Sequence, residues 1–242
     1  MKPRAGVGLT SIMVVLTVTT GMIEAVSFLV LGPVFTAVQT GNLLFLSFAL
    51  TGAAGLSPAA SGVSFAGFVV GAVLGSRFES GVDAHGCRWF GPALIVEAVL
   101  LGLGGLVAWR TGLDTPGALA DGPHHVVIAL VAVAMGMRNI TTLRARVPDL
   151  PTTVSTRALT ALLGGLAPHP DARIGSGPAD EGRRLASVGA MFAGGLLGAW
   201  LLVRAEVRPA LVLLIPATLV LALGAGSWVL LRGRAPEPSE SG

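Results

Sequence analysis

The sequence predicts an all-α polytopic membrane protein. It would hold six transmembrane helices plus two re-entrant or broken half-helix segments, arranged as two inverted repeats of three spans. Composition is the first observation behind this. Apolar residues make up 52% of the 242 and charged residues only 12%, against about 25% charged in ordinary soluble domains, and the mean hydropathy is +0.78. The second is the length of the apolar runs. The third is that the motifs of the first half recur, in the same order, in the second.

A span needs about 20 apolar residues, because a helix rises about 1.5 Å per residue across a core of about 30 Å. Six runs meet this: 11–31, 60–78, 90–109, 124–142, 185–203 and 209–231. Lys2 and Arg4 before the first run imitate a signal peptide. The run is too long for a signal core, however, and Ile23-Glu24-Ala25 is a poor cleavage site, so the expectation is an uncleaved first span. Two further runs are apolar but awkward. Segment 36–53 is broken by Thr40-Gly41-Asn42, and segment 152–166 is short and holds Arg157.

Those two segments decide the topology. If both cross, giving eight passes, the inner loops carry Lys2, Arg4, Arg110, Arg173, Arg183, Arg184, Arg232 and Arg234, while seven arginines lie outside. If both dip in and return, the inner side carries Lys2, Arg4, Arg77, Arg88, Arg138, Arg144, Arg146, Arg173, Arg183, Arg184, Arg232 and Arg234. Only Arg110, Arg204 and Arg208 then lie outside. Cytoplasmic loops hold the excess of Lys and Arg, so the sequence favours six passes with both termini inside. Trp89, Trp109, Trp200 and Trp228 fall near the expected boundaries, where indole rings are favoured.

Segment 168–184, rich in Pro, Gly and charge, reads as a flexible inner connection, and 233–242 as a disordered tail. The domains are then a first membrane repeat over 1–115 and a second over 116–232.

The repeat is visible at three places. Gly21-Met22 matches Gly136-Met137 at an offset of 115, which pairs Glu24 with Asn139, and Thr40 matches Thr156 at 116. Ser64, Gly67, Gly71 and Gly75 match Ser187, Ala190, Gly194 and Gly198 at 123. Steps of three or four put each small-residue set on one helix face, where backbones approach closely. Such stripes serve packing within the chain or a homo-oligomer. Each half reads as span, dip, span, span. Three crossings per half turn the second half upside down, a plan common among secondary transporters.

The polar residues at membrane depth are the site candidates, since polar groups there are costly unless partnered. Gln39, Thr40, Gly41 and Asn42 would begin one half-helix, and Asp149, Thr152, Thr153 and Thr156 the other. Helix N-termini expose unpaired N–H groups and suit an anion or polar solute, and Arg157 would add positive charge. The alternative is that the hydroxyls bond to their own helices and Arg157 pairs with a carboxylate. Glu24 is either a proton-coupling carboxylate or a hydrogen-bond anchor for a broken helix. Glu97 reads as a helix-packing polar residue, and Arg138 as a side chain that snorkels to the inner surface or anchors its helix. His124, His125 and Asp121 read as an exposed outer cluster.

Several classes have no support. The net charge of +3 is small and scattered, with no basic stripe for nucleic acid. The single cysteine, Cys87, permits no internal disulfide. No nucleophile elbow, phosphate loop or HExxH is present, so no enzyme, cofactor or metal is expected.

The run Glu24-Ala25-x-Ser27-Phe28-Leu29-x-Leu31-Gly32-x-Val34-Phe35, followed by Thr40-Gly41-Asn42, resembles the signature of the YoaK-like family of bacterial integral membrane proteins. Asn139, Val147-Pro148-Asp149-Leu150, Thr152-Thr153, Thr156 and Ser187–Met191 are similar to that family's second half. Glu24 stands where Asp is commoner there, and Arg138 where Gln is commoner. The resemblance implies a six-span inner-membrane protein whose shared domain has no assigned function. The reading that results is a small-solute secondary transporter, including for an anion, with a midplane site between two half-helices. A passive channel and a non-transporting scaffold or regulatory protein are the alternatives.

Overall fold

The computed structural model describes residues 7–113, 122–145, 155–165 and 178–232. These form α1 (Val7–Leu29), α2 (Gln39–Leu50), α3 (Pro58–Ala84), α4 (Phe90–Thr111), α5 (Gly122–Ala145), α6 (Ser155–Gly165), α7 (Pro178–Val203) and α8 (Pro209–Arg232). Among the described residues there is no strand. Six helices, α1, α3, α4, α5, α7 and α8, are long and apolar enough to cross a membrane. At about 1.5 Å per residue, the 12 residues of α2 and the 11 of α6 fall well short of a core about 30 Å thick.

Local chemistry sets the ends. Gly32-Pro33 stops α1, since Pro cannot continue a helix and Gly32 takes a φ of 109° that turns the chain back. Ser57 caps α3 by accepting from the Ala60 N–H at 3.2 Å, with Pro58 in the first turn. Segment 168–184 is not wholly irregular, because α7 already begins at Pro178. Asp180 and Glu181 stand in its first turn, where negative charge complements the helix dipole. Arg184, 2% exposed, donates to the Ala161 carbonyl of α6 at 3.3 Å. The rest of that segment and the tail 233–242 lie outside the described residues.

The helices pack through their glycines. A Cβ on Gly71 of α3 would fall 2.0 Å from the Val133 carbonyl oxygen of α5, and one on Gly75 3.1 Å from the Met137 Cα. On α7, a Cβ on Gly194 would fall 2.0 Å from the Val18 carbonyl oxygen, and one on Gly198 3.0 Å from the Met22 Cα of α1. The partners obey the sequence offsets on both sides, 123 for the glycines and 115 for the residues they meet. Gly105 of α4 meets Leu214 and the Ala210 carbonyl of α8, while Gly224 of α8 meets Ile95 and the Gly91 carbonyl of α4.

These contacts also give direction. Along α3 and α5, and along α1 and α7, the residue numbers rise together, so each pair is parallel; α4 and α8 run antiparallel. Three helices separate α4 from α8. If all three crossed, α4 and α8 would be parallel. The antiparallel pair fits α6 turning back, and the parallel α1–α7 pair then requires α2 to turn back as well. The helix pairs form a matching set: α3 on α5 and α7 on α1, α4 on α5 and α8 on α1, α2 on α3 and α6 on α7.

Candidate functional site

Beyond α1 the chain re-enters. Residues 30–38 are non-helical and run back alongside α1, and α2 leads outward again. This limb has backbone groups that no helix satisfies, and lipid offers them no partner. Side chains supply them. The Glu24 carboxylate of α1 accepts from the N–H of Ala37 at 2.5 Å and from the N–H and hydroxyl of Thr36 at 3.1 and 3.3 Å, all through Oε1. Its Oε2 shares the Thr36 N–H at 3.3 Å. Ser27 adds a hydroxyl contact to Thr36 at 3.1 Å.

Asn42 secures the other side of the limb. It is fully buried, accepts from the Phe35 N–H at 2.9 Å and donates to the Phe35 carbonyl at 2.5 Å and to Gln39 Oε1 at 2.9 Å. Ser64 of α3 donates to the same carbonyl at 2.6 Å. Gln39 donates to the Thr36 carbonyl at 2.8 Å. Gly41 leaves room for the Phe35 ring, which a Cβ would meet at 2.7 Å. Thr40 does not cap α2: it is exposed, the N-cap is Val38, and no side chain caps it. Glu24, Gln39, Gly41 and Asn42 are thus brought together, and Thr40 is not. In this half the Glu24 carboxylate already takes the N–H groups just ahead of the half-helix.

Among the second-half candidates only Asn139 has a described side chain. Asn139 lies on α5, packed against α3 and α4. Asp149, Thr152 and Thr153 lie outside the described residues. Thr156 and Arg157 are in the first turn of α6, whose backbone alone is described there. α2 leans on α3 and α6 on α7, the third helix of each half.

A second polar centre joins the two halves. Arg138 does not snorkel: it is fully buried. Its Nη2 and Nε donate to Glu97 Oε1 of α4 at 2.5 and 2.8 Å, and its Nη1 donates to the Leu16 carbonyl and the Thr20 hydroxyl of α1 at 3.0 and 2.8 Å. One turn on, Thr141 donates to the buried Glu79 of α3 at 2.5 Å, and Arg144 ties Glu79 and Asp83 to the Trp89 ring. Sequence reasoning treated Glu97 and Arg138 separately. The missed signal is that two opposite charges on different spans must find each other, since an unpaired charge in lipid is far more costly than a pair. His124 is buried, and among the described residues no group of three His, Cys, Asp or Glu is placed to hold a metal.

Beside Glu24 a cleft of about 370 Å³ opens between α1, α7 and the limb. Small residues, Ala25 of α1 with Gly195 and Ala199 of α7, make the space, and Phe28 and Phe35 wall it. Those two rings stack at 5.3 Å. Among the described residues, Glu24 is its one ionisable lining residue.

Residues 12–226 match the model of a family described as "Protein of unknown function (DUF1275)". The chain is also similar to the UPF0700 transmembrane protein YoaK of Bacillus subtilis (strain 168), at 25% identity over 151 residues, covering 61% of this chain and 63% of that protein. The match therefore spans less than two thirds of that relative's length. No solved structure matches.

Proposed function

The chain belongs to the YoaK-like DUF1275 family of membrane proteins, and from that premise we propose that it is a secondary transporter of a small solute. One observation carries the reading. An intramembrane carboxylate, Glu24, holds a re-entrant limb by its N–H groups and at the same time lines a cleft of ligand size. A proton or solute arriving at Glu24 competes with the limb for the same oxygens, which couples occupancy of the cleft to the position of α2. Two inverted three-span repeats suit this, and the matched glycine contacts across offsets of 115 and 123 support them. The location in this reading is the bacterial cytoplasmic membrane with both termini inside, and the solute leaves chemically unchanged, so no enzyme chemistry is involved.

The test is proton movement in pyranine-loaded proteoliposomes as small solutes are added under an imposed pH gradient. The expected result is saturable, gradient-dependent flux that Glu24→Gln abolishes and Asn42→Ala reduces. Unchanged flux in both variants removes the assignment, and fast, gradient-independent flux replaces it with a passive channel.

A further inference from the structure

We propose that the cleft beside Glu24 takes a hydrophobic organic cation, entering from the bilayer. This names the substrate class within the transport reading and rests on it. Three features of the cleft select that chemistry.

The carboxylate comes first. Its oxygens hold the limb through Ala37 and Thr36, Oε1 more closely than Oε2. A carboxylate oxygen accepts more than one hydrogen bond, and Glu24 lines the cleft. A negative group at that place repels an anionic solute and attracts a positive one.

The walls come second. Phe28 and Phe35 stack, Phe35 stacks in turn on Phe45 at 5.6 Å, and Phe28 is 41% exposed. Aromatic faces attract cations. A carboxylate with two rings around an apolar space is a recognition set for a positively charged centre inside an apolar body.

The third feature removes the inorganic alternatives. Sodium, calcium and magnesium need several oxygen ligands, and the lining offers the oxygens of one carboxylate among apolar side chains. The volume of about 370 Å³ lies within the range of about 300–1,000 Å³ typical of small-molecule pockets. Small residues on α7 keep it open, since a Cβ on Gly195 would meet only the Gly21 carbonyl oxygen, at 3.9 Å.

The experiment measures equilibrium binding of radiolabelled tetraphenylphosphonium to the full chain in lipid nanodiscs, with empty nanodiscs subtracted. Tetraphenylborate, of the same shape and opposite charge, is the comparison. The expected result is saturable binding of the cation with at least about tenfold preference over the borate, as charge-assisted contact implies. Glu24→Gln collapses that preference. Ala199→Leu fills the cleft from α7 while keeping every side chain that holds the limb, and weakens cation binding about tenfold at an unchanged melting temperature, which separates occupancy of the cleft from the integrity of the limb. Equal binding of cation and borate, or cation binding that Ala199→Leu leaves intact, overturns the proposal. Absence of cation binding in a preparation that still shows solute-dependent proton flux strikes out the cation class alone and leaves transport standing.

Discussion

The side chain of Asn42 closes on both backbone polar groups of Phe35, accepting from its N–H and donating to its carbonyl. It does for the re-entrant limb what a neighbouring strand does in a sheet. Only a primary amide of this length presents a donor and an acceptor side by side. Asn42→Ala leaves the Phe35 N–H without its partner and is expected to cost about 1–3 kcal/mol. Asn42→Asp keeps the acceptor and loses the donor, leaving the carbonyl to Ser64 alone. Thermal unfolding in detergent should place both variants below the parent protein. Equal melting temperatures would show that the amide is dispensable.

The Arg138–Glu97 pair is fully buried where the two halves meet. Removing one partner leaves an uncompensated charge, for which about 3–5 kcal/mol is the usual cost. Arg138→Met and Glu97→Leu should each destabilise severely. The double variant should be more stable than either, because apolar groups fill the space without an orphaned charge. A double-mutant cycle on melting temperatures or expression levels reads the coupling. Additive losses would show that the charges act independently.

Gly71 and Gly194 occupy matching places on α3 and α7, and each faces a carbonyl oxygen that a Cβ would meet at 2.0 Å. Backbone cannot yield as a side-chain tip can, so each helix pair must separate. Gly71→Ala and Gly194→Ala are each expected to cost about 1–3 kcal/mol or more. Gly62 of α3 has open space at its Cβ, and Gly62→Ala should be neutral or stabilising by about 0.5–1 kcal/mol. A loss at Gly62 as large as at Gly71 would contradict this packing.

The number of crossings is read by cysteine labelling. Cys87 is exposed between α3 and α4 and serves as a native probe. In a Cys87→Ser background, Ala53→Cys reports the α2–α3 turn and Ala205→Cys the α7–α8 turn. Six crossings put 53 and 205 on one side and 87 on the other. Eight crossings put 87 and 205 together and 53 opposite. An impermeant maleimide on oriented vesicles separates the two patterns.

Six spans and two short segments that break the pattern were legible in the sequence. Apolar run length and glycine spacing are local quantities, and lipid enforces them strictly because unsatisfied backbone has no water to turn to. The polar residues 39–42 were legible as a helix start, but the roles within them were not. Thr40, a capping type, is exposed, and Asn42 braces the limb instead. Capping preference sees the chain neighbours, whereas Asn42 answers to Phe35 seven residues back and to Ser64 on another helix.

The sequence alone determined that the chain lives in a membrane and how many helices are long enough to cross it. Tertiary structure decided which polar groups meet. Glu24 reaches the N–H groups of a limb twelve and thirteen residues on, and Arg138 reaches Glu97, Leu16 and Thr20 on two other helices. Spacing along the chain says how much apolar surface a segment must hide. Which charge neutralises which is set by the helix faces that the glycines bring into contact, and that juxtaposition exists only once the helices have packed.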